Sequence, residues 1–285
     1  RTVPPGSVDA AVGEVEQRPF DLAAEPPLRP CLVTDGERHV LALVLHHIAT
    51  DDASTGPLLG DLAAAYRARL AGAPPTWPPL PVTTADHTLW QAELLDALEA
   101  GQLTFWRAAL RDAPAEVTFP SPVPRPAQAA HRGDIAMLDV PAELHRAVRE
   151  LAGRAGSTPF MVLHAAVAAL LHALGAGTDV VLGTPVAGRD DERLDGLVGF
   201  LVGTMALRTD LSGDPTFAEL LGRVRAADLA AFEHADAPFE RVVPFKGANT
   251  EGAAQLLAQF GQSTLDHAVQ RSLRVATALV RLPRR

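Results

Sequence analysis

The sequence predicts an α/β fold, an α+β sandwich built in two lobes. Short Val- and Leu-rich segments alternate along the chain with longer segments that have helical periodicity or Gly and Pro stops, as strands alternate with helices. Hydrophobic residues make up 47% of the 285 positions, so the chain can bury a sizeable core. A proline-rich stretch at residues 114–126 separates two groups of segments and suits a stiff connector, because proline fixes φ and removes a hydrogen-bond donor.

The first group of segments begins with two predicted strands, residues 31–34 and 39–45. Asp35 and Gly36 between them are a tight-turn signal that would pair the strands as a hairpin. The second strand is apolar at consecutive positions, which suits a strand covered on both faces. Three helices are predicted to follow it, at residues 60–71, 84–99 and 102–110.

The second group of segments lies after the proline-rich stretch. Helix 159–175 is the best bounded, because Ser157 and Thr158 offer an N-cap, Pro159 suits the first turn and Gly175 ends it. It is shorter than the ~20 apolar residues that a membrane span needs. The other predicted elements are helices at residues 141–153 and 216–234 and strands at residues 135–140, 180–183 and 204–208.

Charge and cysteine content exclude several classes of function. The net charge of −9 argues against nucleic-acid binding, which normally requires a basic stripe. Cys31 is the single cysteine, so neither an intramolecular disulfide nor a cysteine-rich metal site is expected, and a cytoplasmic location fits. His164 and His172 lack a carboxylate or cysteine three or four residues away, which favours a structural role for both and predicts no metal site.

The most informative segment is residues 40–52, where two histidines follow an apolar strand and two aspartates come shortly after. His47 would lie where the strand ends. An imidazole titrates near neutral pH and can accept a proton from an attacking amine or hydroxyl, which is the chemistry of acyl transfer. A histidine beside an apolar run is more commonly structural, and both interpretations are open at this point.

The segment His46-His47-x-x-x-Asp51-Asp52 resembles the His-His-x-x-x-Asp-Gly signature of condensation domains of nonribosomal peptide synthetases. These domains belong to the chloramphenicol acetyltransferase-like acyltransferase superfamily. Other stretches resemble the same family in the same order, and together they cover about residues 15–245. They are residues 18–22, 26–29, 89–91, 105–107, 124–126, 131–133, 179–189, 196–200, 204–211 and 234–240.

The resemblance implies a chloramphenicol acetyltransferase-like fold with two lobes, incomplete at both ends. Residues 1–126 would be the remnant of the N-terminal lobe, residues 127–245 the first half of the C-terminal lobe, and residues 246–285 a tail outside the resemblance. The implied function is amide-bond formation between aminoacyl or peptidyl thioesters. The substrates would be presented on the phosphopantetheine arms of donor and acceptor peptidyl carrier proteins, next to neighbouring synthetase modules, with no bound cofactor or metal and no nucleic-acid or membrane partner.

The resemblance also implies roles for individual residues. His47 would be the catalytic residue and face the cleft between the lobes, while His46 would point into the first lobe and be structural. Asp51 would be architectural and pair with Arg189. Asp52 departs from the signature glycine and adds bulk and negative charge beside the motif. The residues expected to line the substrate cleft are Gly183, Thr184, Pro185 and Thr204.

Two alternatives to amide-bond formation are open. One is an ester-forming acyltransferase of the same superfamily, for which a His-x-x-x-Asp motif suffices. The other is a catalytically silent interaction module, in which Asp52 and the missing ends mark abandoned chemistry. The products formed from matched donor and acceptor carrier proteins would distinguish the three possibilities.

Overall fold

The computed structural model describes residues 1–114, 117–118 and 137–242, which form two compact units. The first unit comprises Arg1–Gln91 and Ala187–Val202, and the second comprises Ala92–Val186 and the described part of Gly203–Ser263. The predicted lobe boundary at residue 126 and the predicted tail, residues 246–285, lie outside the described residues. The segment Ala187–Val202 was expected in the C-terminal lobe, yet it belongs to the first unit, because its side chains and amides complete the packing around Asp51.

The first unit is built on the predicted hairpin. Strands β1 (Leu28–Thr34) and β2 (His39–Leu45) pair in antiparallel register, and Gly36 takes φ 92° in the turn between them. Helix α1 (Val8–Gln17) was not predicted, although its apolar residues recur at helical spacing. Its buried face packs on Val33, Val40 and Ala42 of the hairpin.

Two further helices follow the hairpin. Helix α2 (Thr55–Leu70) starts five residues earlier than predicted, and α3 (Thr84–Ala109) is one helix where two were predicted. Thr83 and Asp86 cap the start of α3 reciprocally, each side chain accepting a hydrogen bond from the other residue's backbone amide. Gly101 does not break α3, because the burial of Leu103 and Trp106 outweighs the ~1 kcal/mol cost of a helical glycine.

Among its described residues, the second unit contains an antiparallel strand pair, the part of α3 from Ala92 onward and four further helices. Strands β3 (Asp179–Val186) and β4 (Gly203–Asp210) pair along their whole length. The helices are α4 (Ala142–Arg154), α5 (Pro159–Ala173), α6 (Phe217–Phe232) and the short α7 (Phe239–Val242). The predicted N-cap of α5 is confirmed, since Thr158 accepts a hydrogen bond from the Met161 amide.

The predicted strand at residues 135–140 is wrong over its described part. Residues 137–140 are irregular, and Met137, Leu138 and Val140 are exposed. An apolar sequence forms a strand only where a neighbouring strand pairs with its backbone, and the described residues provide none here.

Helices α5 and α6 and strand β4 share one buried polar network. His164 Nδ1 lies 2.9 Å from Asp228 Oδ1, and its Nε2 lies 3.0 Å from Thr209 Oγ1. All three side chains are buried. Each ring nitrogen of His164 thus has a partner inside the core, which accounts for a polar residue at a core position.

No single helix in the described ranges is long and apolar enough to cross a bilayer. Helices α4 and α5 meet the criteria of length and composition only when they are taken together, and they are bent by 103° at the break between them.

Candidate functional site

His46 caps the turn that follows β2. Its backbone amide donates to the Pro27 carbonyl at 2.9 Å, which extends the hairpin by one bond. Its Nδ1 accepts a hydrogen bond from the Ile48 amide at 3.1 Å, and its ring packs edge-on against Phe20. These contacts close the short 3-10 turn His47–Ala49 and turn the chain away from the sheet.

His47 is half-buried and is held through one of its ring nitrogens. Its Nδ1 lies 2.6 Å from the carbonyl oxygen of Thr50. Because a carbonyl only accepts, Nδ1 carries the hydrogen in this bond. In neutral His47 the lone pair is therefore on Nε2, which can accept a proton. The ring also packs against Phe200, with centroids 5.0 Å apart and planes at 89°.

Asp51 and Arg189 form the ion pair that was expected from the sequence. Arg189 Nη2 lies 2.9 Å from Asp51 Oδ1 and 3.2 Å from Oδ2, and both side chains are buried. Nη1 of Arg189 donates to the carbonyls of Leu194 and Leu197. The pair thus connects the loop after β2 to the segment Ala187–Val202 within the first unit.

The Asp51 carboxylate is stabilised in its charged form. Burial alone would raise the pKa of Asp51, but hydrogen bonds from the Ser54 hydroxyl, the Leu201 amide and Arg189 together outweigh it and lower the pKa below its ordinary value. A carboxylate whose oxygens are occupied in this way is a poor proton acceptor. Asp51 therefore suits an architectural role.

Ser54 and Gly188 complete this arrangement, and the sequence alone did not reveal either role. Ser54 is fully buried, and its hydroxyl lies 2.7 Å from Asp51 Oδ1 and 2.9 Å from the Gly199 carbonyl, which are alternative acceptors for its one proton. Gly188 has φ +64°, and a Cβ there would lie 2.1 Å from the Leu201 carbonyl oxygen. Only glycine lets the chain pass this carbonyl and deliver Arg189 to Asp51.

His87 is a buried histidine near the same ion pair. It lies in the first turn of α3, and its ring packs against Trp90. Burial lowers the pKa of His87, and the positive charge of Arg189 lowers it further. Both effects keep His87 neutral, which preserves the charge balance around Arg189 and Asp51.

Asp52, which occupies the position of the signature glycine, is exposed in the turn before α2. The described non-glycine residues with positive φ are Asp112 and Asp214. The backbone at position 52 therefore does not require glycine, and Asp52 introduces no left-handed strain.

The residues expected to line the substrate cleft lie together in the second unit. Pro185 and Thr204 are cross-strand partners, and Gly183 and Thr184 precede Pro185 on β3. Thr204 also lines an apolar depression with Trp106 and Phe239. Their role in a cleft, and the orientation of His47 toward it, stay predictions. Among the described residues, no group of three or more His, Cys, Asp or Glu side chains could hold a metal ion.

The family model described as "Condensation domain" matches residues 3–259 of the chain. The match continues past residue 245, where the motif resemblance ends, so similarity to the family also covers the beginning of the predicted tail.

Several nonribosomal peptide synthetases are similar in sequence to this chain. A probable synthetase of Salinispora arenicola, CymA, is 51% identical over 259 residues, which are 87% of this chain and 3% of that protein. The dimodular nonribosomal peptide synthase of Bacillus subtilis is 44% identical over 266 residues, 90% of this chain and 11% of that protein. The chain thus spans a small part of these relatives.

Several solved structures of related domains are also similar to this chain. The X-domain from teicoplanin biosynthesis has a TM-score of 0.78 and 36% identity, and the match covers 86% of this chain and 57% of that chain. A four-domain nonribosomal peptide synthetase, AB3403, has a TM-score of 0.70 and 26% identity over 86% of this chain and 19% of that chain. The first condensation domain of the calcium-dependent antibiotic synthetase, at 24% identity, has a TM-score of 0.66 over 87% of this chain and 59% of that chain, which shows a shared fold.

Proposed function

The chain belongs to the condensation-domain family of nonribosomal peptide synthesis and has its chloramphenicol acetyltransferase-like fold, and from this premise we propose that it forms amide bonds between carrier-bound substrates. The family is generally of the acyltransferase type. The donor would be an acyl thioester on the phosphopantetheine arm of one carrier protein. The acceptor would be the α-amine of an aminoacyl group on a second carrier protein.

The observation that carries this proposal is the hydrogen bond from His47 Nδ1 to the Thr50 carbonyl. It leaves Nε2 to accept a proton from the acceptor amine as the amine attacks the thioester carbonyl. The new C–N bond forms, the C–S bond breaks, and the proton passes to the departing thiolate. The products are an amide on the acceptor arm and a free thiol on the donor arm.

The Asp51–Arg189 pair supports His47 indirectly in this proposal. Its carboxylate is occupied by hydrogen bonds from three residues, so it holds the loop after β2 rather than taking a proton. The reaction transfers one acyl group and one proton, so it needs no redox or metal chemistry. The partners we propose are the donor and acceptor carrier proteins of adjoining synthetase modules.

A silent interaction module is the second candidate function, and one observation favours it. The X-domain from teicoplanin biosynthesis, which is 36% identical to this chain, was solved in a complex with the protein OxyB. A domain of this type can therefore act as a protein-binding surface. In such a module His47 would have no chemical role, and the replacement of the signature glycine by Asp52 would not affect function.

The test is a condensation assay with the full chain, a donor carrier protein loaded with an acyl thioester and an acceptor carrier protein loaded with an amino acid. We expect an amide on the acceptor arm, detected by intact-protein mass spectrometry. His47→Ala should abolish the product, whereas His145→Ala, an exposed change on α4, should not. Ester formation with a hydroxyl acceptor alone would indicate the ester-forming alternative. Carrier binding without any product would favour the silent module.

A further inference from the structure

We propose that Phe200 is a positioning residue for His47, and that Asp51 acts on the catalytic histidine through it. This inference rests on the proposed function of His47. It assigns a role to a side chain that lies 153 positions from His47 in sequence and packs directly against its ring.

The exposure of Phe200 is the first observation. Its side chain is 42% exposed, whereas Leu197 and Leu201 in the same segment are buried in a small core cluster. Core formation therefore does not account for the position of Phe200. The Phe200 ring instead packs on the His47 ring, with the edge-to-face geometry that aromatic rings favour.

The backbone on both sides of Phe200 is fixed by the loop after β2. The Gly199 amide donates to Ser54 Oγ at 3.0 Å, and the Leu201 amide donates to Asp51 Oδ2 at 3.1 Å. Both acceptors are buried. Asp51 and Ser54 thus hold the residues before and after Phe200, and this directs the Phe200 ring toward His47.

Glycine at position 199 avoids tight contacts that a larger residue would make. A Cβ there would lie 3.1 Å from Leu201 Cδ1 and 3.2 Å from Thr84 Oγ1, so these side chains would have to shift by a few tenths of an ångström. The hydrogen bond from His47 Nδ1 to Thr50 and the covalent bond to Cβ hold the imidazole at two points, but the ring can still tilt through small coupled changes of χ1 and χ2. The Phe200 ring limits this tilt and so fixes the direction of Nε2.

The experiment compares Phe200→Leu with Phe200→Tyr in the full chain. Leucine keeps an apolar side chain but removes the ring, and we expect kcat for amide formation to fall about tenfold with KM unchanged. Tyrosine keeps the ring and should stay within about twofold of the original rate. Phe217→Leu is the matched control, because Phe217 is similarly exposed at 38% and lies at the start of α6; its rate should not change.

A second measurement does not depend on catalysis. The imidazole signals of His47 in nitrogen NMR, assigned by their loss in His47→Asn, should show Nδ1 protonated and Nε2 unprotonated in the original chain. In Phe200→Leu they should move toward the averaged shifts of a free imidazole, while Phe200→Tyr preserves them. Unchanged signals in Phe200→Leu would overturn the positioning role, even in a chain that formed no amide. A rate loss equal for leucine and tyrosine, or confined to KM, would also overturn it.

Discussion

The first and second units each bury an aspartate, and the two carboxylates are held in different ways. Asp228 in the second unit pairs with His164 and lies among regular elements, α5, α6 and β4. Asp51 in the first unit pairs with Arg189 and with backbone amides of loops. The ring of His164 is buried and lies beside a carboxylate, whereas the ring of His47 is half-buried and donates a hydrogen bond to a backbone carbonyl. In the function that we propose, access to the second ring nitrogen distinguishes the reactive histidine, and an aspartate beside the ring does not.

The largest expected difference is between replacing His47 and replacing His164. Equal effects of the two changes on catalysis would contradict the distinction between them. His47→Ala should lower the rate of amide formation about 10²- to 10⁴-fold and leave the thermal unfolding midpoint nearly unchanged, because the side chain is half-buried and the general base is lost. His164→Ala should lower the midpoint clearly, since it leaves Asp228 buried without its partner. Initial rates and thermal unfolding of both variants test this. A stable His47→Ala chain with full activity would contradict the assignment.

The next largest effect concerns the buried ion pair. Asp51→Asn should lower the free energy of unfolding by about 3–5 kcal/mol, because it leaves Arg189 buried without a counter-charge. The matched control is Asp9→Asn, which breaks an exposed pair with Arg38 and should have a much smaller effect, because solvent screens exposed charges. Urea denaturation of both variants measures the difference. Equal losses would mean that the buried pair does not organise the first unit.

Gly188 sharpens the comparison, because it tests how Arg189 reaches Asp51. Gly188→Ala should cost about 1–3 kcal/mol, since its Cβ would meet the Leu201 carbonyl and its φ is positive. Gly213→Ala also places alanine at positive φ, but nothing lies within 4 Å of its Cβ, so it should cost less. Only Gly188→Ala should also reduce amide formation. Denaturation midpoints and initial rates of both variants give the result.

The smallest expected effect is a pH dependence that originates at His87. The pKa of His87 is lowered in the folded protein, so the unfolded chain takes up a proton first as pH falls. The free energy of unfolding should therefore decrease as pH falls below about 6.5, by at most ~1.4 kcal/mol per pH unit, until the folded pKa is passed. His87→Gln should flatten this part of the profile. An identical slope in both chains would exclude His87 as its source.

Asp51 adds a separate loss of stability at more acidic pH. Its folded pKa is also lowered, so its contribution is complete above about pH 4 and is lost as pH falls through the folded value. This second decline should be smaller in Asp51→Asn and unaffected by His87→Gln. It should not vanish, because the pKa values of other carboxyls, Asp191 and Asp210 among them, are also lowered in the folded protein.

The sequence predicted helices and strands well where neighbouring residues alone determine them. Residues 39–45 were predicted as a strand with the observed bounds, and the N-cap of α5 was predicted at Ser157 and Thr158, of which Thr158 is the cap. Helix α1 was missed because its face is largely Ala and Val, and its burial depends on the hairpin that follows it. The predicted strand at residues 135–140 was wrong over its described part, residues 137–140, because a strand forms only where a second strand pairs with it.

The site was predictable only as far as its motif. The pairing of Asp51 with Arg189 followed from resemblance to a known family, and the structure contains it. Ser54 carried no signal, because its partner Gly199 is 145 residues away and an isolated serine fits many loops. The role of Gly188 required knowing which carbonyl it passes. Long-range contacts of this kind depend on the path of the whole chain.

Because Ala187–Val202 belongs to the first unit, that unit cannot complete its fold as soon as its first part has been synthesised. A ribosome that has reached Gln91 has produced Asp51 and Ser54 but neither Arg189 nor the Leu201 amide. The nascent first unit would then bury a carboxylate without its counter-charge, which is unfavourable. Nearly a hundred further residues, including α4, α5 and β3 of the second unit, must be translated before the counter-charge exists. The first unit can therefore complete its folding during synthesis only after residues 92–186 of the second unit have been translated.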